Sequence, residues 1–154
     1  MRRKEREITD ITEIEAIISV CDVCRIAVAN ENVPYLVTMN FGYVGGEKPH
    51  IFFHCATEGK KLDMIRHNNF VCFEMDTDHK IYKGKKGCDW GMKYRSIIGY
   101  GTVQFVDKKA GKIAGLNHIM NHYGGSGVYS YDEEVLTTTL VLRLDISEMS
   151  GKRK

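Results

Sequence analysis

The segment Ile51-Phe52-Phe53-His54-Cys55-Ala56-Thr57-Glu58-Gly59-Lys60-Lys61 joins an apolar run to small residues and then to two lysines. Read as a strand that delivers a short loop to a helix start, it suits a phosphate. Such a place offers unpaired backbone N–H groups, the positive end of a helix dipole and the mobile charges of Lys60 and Lys61. Gly59 would let the backbone approach closely where a β-carbon would obstruct. The same two lysines also read as the solvated first turn of an ordinary surface helix, so both readings stand at this point.

Two further stretches carry groups of interest. Pro34-Tyr35-Leu36-Val37-Thr38-Met39-Asn40-Phe41-Gly42-Tyr43 presents a flat apolar surface with Thr38 and Asn40 on its more polar side. It could hold an aromatic ring, or be a half-buried barrel strand whose polar face meets water. In Tyr94-Arg95-Ser96-Ile97-Ile98-Gly99-Tyr100-Gly101, a guanidinium and a hydroxyl precede a strand broken by glycines, which mark bends or close backbone approach. Cys21-Asp22-Val23-Cys24 has redox or metal spacing, but no second pair follows and its neighbours are core-like, so two buried thiols are expected. His118 and His122 lie one helical turn apart without a third ligand, and no metal is assigned. Trp90 and Cys88 sit in a Lys/Gly-rich stretch, read as a local packing unit or a cofactor or dimer contact. Gly124-Gly125-Ser126-Gly127 follows a helix and precedes a strand, the reverse of a nucleotide-binding loop, and reads as a connection.

The elements that position these groups follow from periodicity. Asp10 caps a helix over about 11–20, Glu13 completes a capping box, and Ile11, Ile14, Ile17 and Ile18 form its buried face. The period then changes to two. Strands are expected at 23–29 and 33–43 as a hairpin around Asn30-Glu31-Asn32, then at 50–55, 70–75, 94–106 and 135–146. Short helices fall at 58–68 and 108–123, the second burying Ile113, Leu116, Ile119 and Met120, and 76–93 reads as the longest loop. About six strands joined mainly by hairpins, with three helices, predict a mainly β (α+β) fold: an antiparallel split barrel with peripheral helices.

Length and composition agree with one domain over residues 1–154, at 43% apolar and 27% charged. The start, Met1-Arg2-Arg3-Lys4-Glu5-Arg6, is basic but lacks an apolar stretch after it, so it does not read as a secretory signal. No apolar run is long enough to span a membrane. Outside the basic ends at 1–6 and 152–154, 15 basic face 19 acidic side chains, which disfavours nucleic acid as a partner. Five cysteines, an odd number in a chain with room for a core, point to free thiols in a reducing cytoplasm.

Taken together, Pro34 to Tyr43, Phe53-His54-Cys55-Ala56 followed by Gly59-Lys60-Lys61, Cys88-Asp89-Trp90 leading to Tyr94-Arg95-Ser96, and the closing Leu144 to Lys152 carry a resemblance. In order and spacing over nearly the whole chain, they are similar to the nitroimidazole-resistance (Nim) branch of the pyridoxamine-phosphate-oxidase-like flavoproteins. The resemblance implies a split barrel that forms a homodimer and holds FMN, or in some members FAD, at the subunit interface. It implies that Val37, Thr38, Met39 and Asn40 line the flavin ring and that His54, Cys55 and Ala56 border the ring or its ribityl chain. Lys60 and Lys61 match the basic pair that binds the phosphate, Ser96 reaches the flavin from a neighbouring strand, and Arg95 supports the same end. His54 matches the histidine placed near flavin and substrate, and its ring can exchange a proton near neutral pH; the bland reading is a hydrogen-bonded strand-end residue.

On this resemblance the expected activity is flavin-dependent reduction of small aromatic nitro compounds or related small-molecule electron acceptors. The alternative is a flavin carrier or redox sensor without a committed reaction. Pyridoxamine phosphate oxidation is disfavoured, because the chain closes at Gly151 to Lys154 without a further basic and aromatic segment.

Overall fold

The computed structural model describes residues 3–154, so Met1 and Arg2 of the basic start lie outside the described residues. After a single 3-10 turn, β1 (Glu7–Ile8) leads into α1 (Ile11–Ile18), where the Asp10 carboxylate accepts from the Thr12 amide at 3.0 Å. The capping box expected from Glu13 is not made. Its carboxylate instead accepts from Arg153. The helix buries Ile14, Ile17 and Ile18 as its spacing requires, and leaves Ile11 exposed.

The hairpin of β2 (Cys24–Asn30) and β3 (Val33–Met39) turns through Glu31 and Asn32, both with positive φ, the conformation of a tight two-residue hairpin turn. β4 (Phe41–Val44), β5 (His50–Ala56) and α2 (Lys60–His67) follow, then β6 (Phe70–Tyr82), β7 (Gly91–Val106), α3 (Lys109–Gly124), α4 (Glu133–Thr138) and β8 (Thr139–Arg153). The sheet runs β3-β2-β6-β7-β8-β5-β4, with β1 added beside β8, and every pairing is antiparallel.

β3 and β4 sit at opposite ends of this path, yet only Asn40 separates them in the chain. Two virtual bonds of 3.8 Å cannot span a flat sheet, so the sheet must curl until its edges meet at that residue. The outcome is an α+β protein with an open, curled antiparallel sheet, consistent with the split barrel expected. One core fills its inside, with Ile26, Phe41, Ile51, Phe53, Phe73 and Ile97 all fully buried and α1 and α2 closing its ends. A second cluster of Phe52, Leu116, Ile119, Leu136 and Val141 seats α3 and α4 on the outside of β5 and β8.

Several expectations need correction. Among the described residues there are eight strands and four α-helices rather than about six and three. The stretch 76–93 is not mostly loop: β6 continues to Tyr82 and β7 begins at Gly91, past a register shift between Thr77 and Lys80 where Asp78 takes a positive φ. This arm extends beyond the core, so neither face needs apolar residues and no alternation marks it. Residues 135–138, expected to open the last strand, belong instead to α4. Glu133 and Glu134 favour a helix start, and the Thr137 and Thr138 hydroxyls donate back to the Glu134 carbonyl, which reconciles β-branched residues with helix. The last strand runs on to Arg153, and Met120 is exposed rather than part of the α3 face. No helix among the described residues is long and apolar enough to cross a membrane.

Gly42 shows how closely α3 sits. A β-carbon there would lie 2.4 Å from the His118 carbonyl carbon and 2.5 Å from the Ile119 amide nitrogen. Both are backbone atoms that cannot swing away. Gly42→Ala is therefore expected to destabilise the protein by about 1–3 kcal/mol through overpacking, measured by equilibrium urea unfolding. An unchanged midpoint would contradict this packing.

Candidate functional site

Where the curled sheet turns from β3 to β4, its edge faces the end of β5 and the start of β8. These bound an open cleft of about 450 Å³. Thr38, Met39 and Asn40 form one wall, His54, Cys55 and Ala56 a second, and Thr138 and Thr139 a third, with Lys61 at its rim. The strands place them by alternation. Thr38 and Asn40 are exposed while Met39 turns inward, and His54 and Ala56 are exposed while Cys55 packs on the core. Val37 also turns inward and packs against the core, so its side chain does not line the cleft.

His54 is exposed and has no hydrogen-bond partner among the described residues. That weighs against the reading of it as a structural, hydrogen-bonded residue, and leaves both ring nitrogens available to a ligand. Burial pushes the Cys55 thiol up, with nearby Lys61 opposing. It stays a thiol near neutral pH, a wall rather than a nucleophile.

The two lysines part company. The Lys60 ammonium lies 4.8 Å from the centre of the Tyr35 ring, while Lys61 reaches the cleft with no carboxylate partner among the described residues. Gly59 caps α2 without a side chain, and its carbonyl takes the Leu62 and Asp63 amides, so the Lys60 and Lys61 amides are the ones left available at the helix start. The glycine is not there for lack of room, since a β-carbon would meet nothing within 4 Å. Its φ of +135° is the reason. The donor set is thus one free ammonium, an uncapped helix start, threonine hydroxyls and an asparagine amide, which fits a ligand with an anionic end and a hydrogen-bonding body.

Arg95 and Ser96 do not come to this cleft within the chain. Arg95 forms an ion pair with Asp78, and Ser96 pairs across the sheet with Asp76 and Lys152. Thr138 and Thr139 join the cleft unanticipated, because periodicity had placed them inside a strand. Of the remaining motifs, His118 stacks on Phe52 with ring centres 5.5 Å apart, and His122 Nε2 donates to the Cys21 carbonyl at 2.8 Å. Trp90 donates to the Gly84 carbonyl at 3.0 Å, which ties down the hairpin tip.

A curled antiparallel sheet with a polar, cation-rimmed cleft at its seam defines the class. The family model described as pyridoxamine 5'-phosphate oxidase matches residues 10–153. A candidate 5-nitroimidazole antibiotic resistance protein from Bacteroides thetaiotaomicron is 31% identical, covering 96% of this chain and 86% of that one, with a TM-score of 0.84. The chain belongs to the pyridoxamine 5'-phosphate oxidase family, in its nitroimidazole-resistance-like branch. The same fold recurs in the flavocytochrome Anf3 from Azotobacter vinelandii, at 15% identity over 100% of this chain and 72% of that one, TM-score 0.83. It recurs again in a FAD and heme binding protein from Mycobacterium smegmatis, at 16% identity over 97% and 73%, TM-score 0.84. No curated protein matches the chain.

The cysteine pair invites a direct check. Cys21 and Cys24 are both buried; burial pushes the Cys21 thiol up to about 11 and raises Cys24 further. Titration of the native protein with a disulfide reagent at pH 8 is expected to modify exposed Cys88 quickly and Cys24 only on unfolding. Rapid native-state modification of Cys24, read by mass spectrometry of the digest, would restore a redox role for the pair.

Proposed function

We propose that this chain is a flavin-dependent oxidoreductase that binds FMN, with FAD as the alternative, and reduces small aromatic nitro compounds or related acceptors. The observation that carries the reading is the cleft at the β3–β4 seam, where Lys61 and the uncapped start of α2 stand at one end of a polar wall. Family membership and fold neighbours named for flavins support it. A bound flavin would supply the redox chemistry, accepting and passing on electrons in pairs.

On this reading the chain's residues divide the remaining work. The Lys61 ammonium and the Lys60 and Lys61 amides at the start of α2 hold the phosphate; Thr38 and Asn40 hydrogen-bond along the ring edge; Met39, Cys55 and Ala56 give it a smooth wall. His54 stands at the exposed side with both nitrogens unengaged, where it supplies a proton to the reduced acceptor. Lys60 steadies the helix start through Tyr35 rather than touching the phosphate. A carrier or redox-sensing role needs the same binding residues without His54.

The purified protein is expected to be yellow and to reduce nitroaromatic acceptors with a nicotinamide donor. Lys61→Ala should weaken FMN about 10- to 100-fold, the scale of one charge-assisted hydrogen bond of about 1.5–3 kcal/mol, and riboflavin far less. Lys60→Ala should weaken FMN less than Lys61→Ala. His54→Gln should lower turnover while flavin absorbance persists. Flavin retained without turnover would point to the carrier, and a colourless protein that takes up no flavin would end both readings.

The proposal includes a homodimer with the flavin at the interface. On the outward face of β7, Ile98 and Tyr100 are 47% and 38% exposed, and Tyr100 stacks on exposed Phe70 with ring centres 6.0 Å apart. Such an apolar face suits a second copy of the chain. Ser96 shares this face by alternation, so pairing here brings it into the interface, which accounts for its distance from its own cleft. Arg95 points to the opposite face. Ile98→Asp is expected to shift the mass measured by light scattering from dimer to monomer and to loosen flavin retention. A dimer that survives intact would rule this face out.

A further inference from the structure

The face that Arg95 occupies carries a second feature. Along the arm that extends past the core, Lys80 of β6 stands directly opposite Lys93 of β7, and Arg95 of β7 directly opposite Arg153 of β8. Like charges placed opposite one another in a sheet repel, and here two such pairs lie two residues apart. All four line one open cleft of about 350 Å³, together with Asp78, Tyr94 and Lys154. Carboxylates answer only the arginines: Asp78 pairs with Arg95 and Glu13 with Arg153. Lys80 and Lys93 have no acidic partner among the described residues.

We propose that this cleft, formed by the Lys80–Lys93 and Arg95–Arg153 cross-strand pairs, is a second ligand site that binds the diphosphate group of a nucleotide or of a smaller phosphorylated metabolite. Three adjacent strands span roughly 10 Å, so the four cations converge on a compact multivalent anion. The unpaired lysines supply the free charge, and each guanidinium keeps N–H donors beyond those it gives to Asp78 or Glu13. The volume is at the lower end of the range for small-ligand pockets. A long polyanion would instead call for a broad basic track, and these cations surround one hollow whose wall is mostly apolar.

Within one chain the site is separate from the cleft at the β3–β4 seam. Thr139 of that cleft and Arg153 of this one are the two ends of the 15-residue β8, up to roughly 45 Å of strand apart. The inference therefore stands whether or not the chain binds flavin.

The only tryptophan of the chain, Trp90, sits in the same hairpin and reports on it. Titration of the full chain with pyrophosphate, ADP and NADPH is expected to change Trp90 emission saturably at sub-millimolar concentration and to weaken steeply with salt. The double variant Lys80→Glu/Lys93→Glu should weaken binding at least tenfold while its circular dichroism and its affinity for riboflavin match the parent. Pyrophosphate binding as tightly as ADP assigns the site to the diphosphate alone; tighter ADP or NADPH assigns it to a nucleotide. Three results would overturn the proposal: no saturation by any of the three, binding lost in Lys61→Ala but kept in the double variant, or binding only to a DNA duplex or to anionic vesicles.

Discussion

Asn40 alone joins two strands that lie at opposite edges of a seven-strand path, and this short tether governs the rest of the molecule. A flat sheet would put those edges tens of ångströms apart, so the tether selects a curled one. Curling makes an inside, which the inward residues of the strands fill and α1 and α2 close. It also makes a seam, where strand ends meet without a continuous ladder and backbone and polar side chains remain open to a ligand. The cleft lies at that seam because the fold has its unpaired edges there.

What the sequence disclosed follows the same logic. α1, β2 and α2 were legible because each buries one face and exposes the other, which leaves a period in the residues, and β5 because both its faces are covered, which leaves a short apolar run. The far arm of β6 and β7 and the last residues of β8 were not, since strand beyond the core has no face to hide. The break at Asn40 was invisible for a subtler reason: Tyr35, Val37, Met39 and Phe41 alternate without interruption through it. The chain leaves one edge and joins the other without changing which side chains face inward.

The site was half legible. Thr38, Asn40, His54 and Lys61 line the cleft, on segments that the motifs picked out, whereas the distinction between Lys60 and Lys61 depends on which of two neighbours, about 100° apart around α2, faces the seam. Arg95 and Ser96 are adjacent in sequence but stand on opposite faces of one strand, so a motif that contains both cannot assign them one role. The lysines and arginines of the far arm come from separate segments, and only strand register sets them face to face.

The place of β8 bears on how the protein is made. Of the strands in this sheet it is made last, yet it lies between β7 and β5 and completes the ladder on both. Until it emerges, the β4–β5 hairpin has no neighbour on its inner side, and the nascent chain holds two partial sheets with bare apolar surfaces. Closure of the sheet as a whole thus waits for β8, and the interval before it arrives is the period in which those surfaces need shelter from one another.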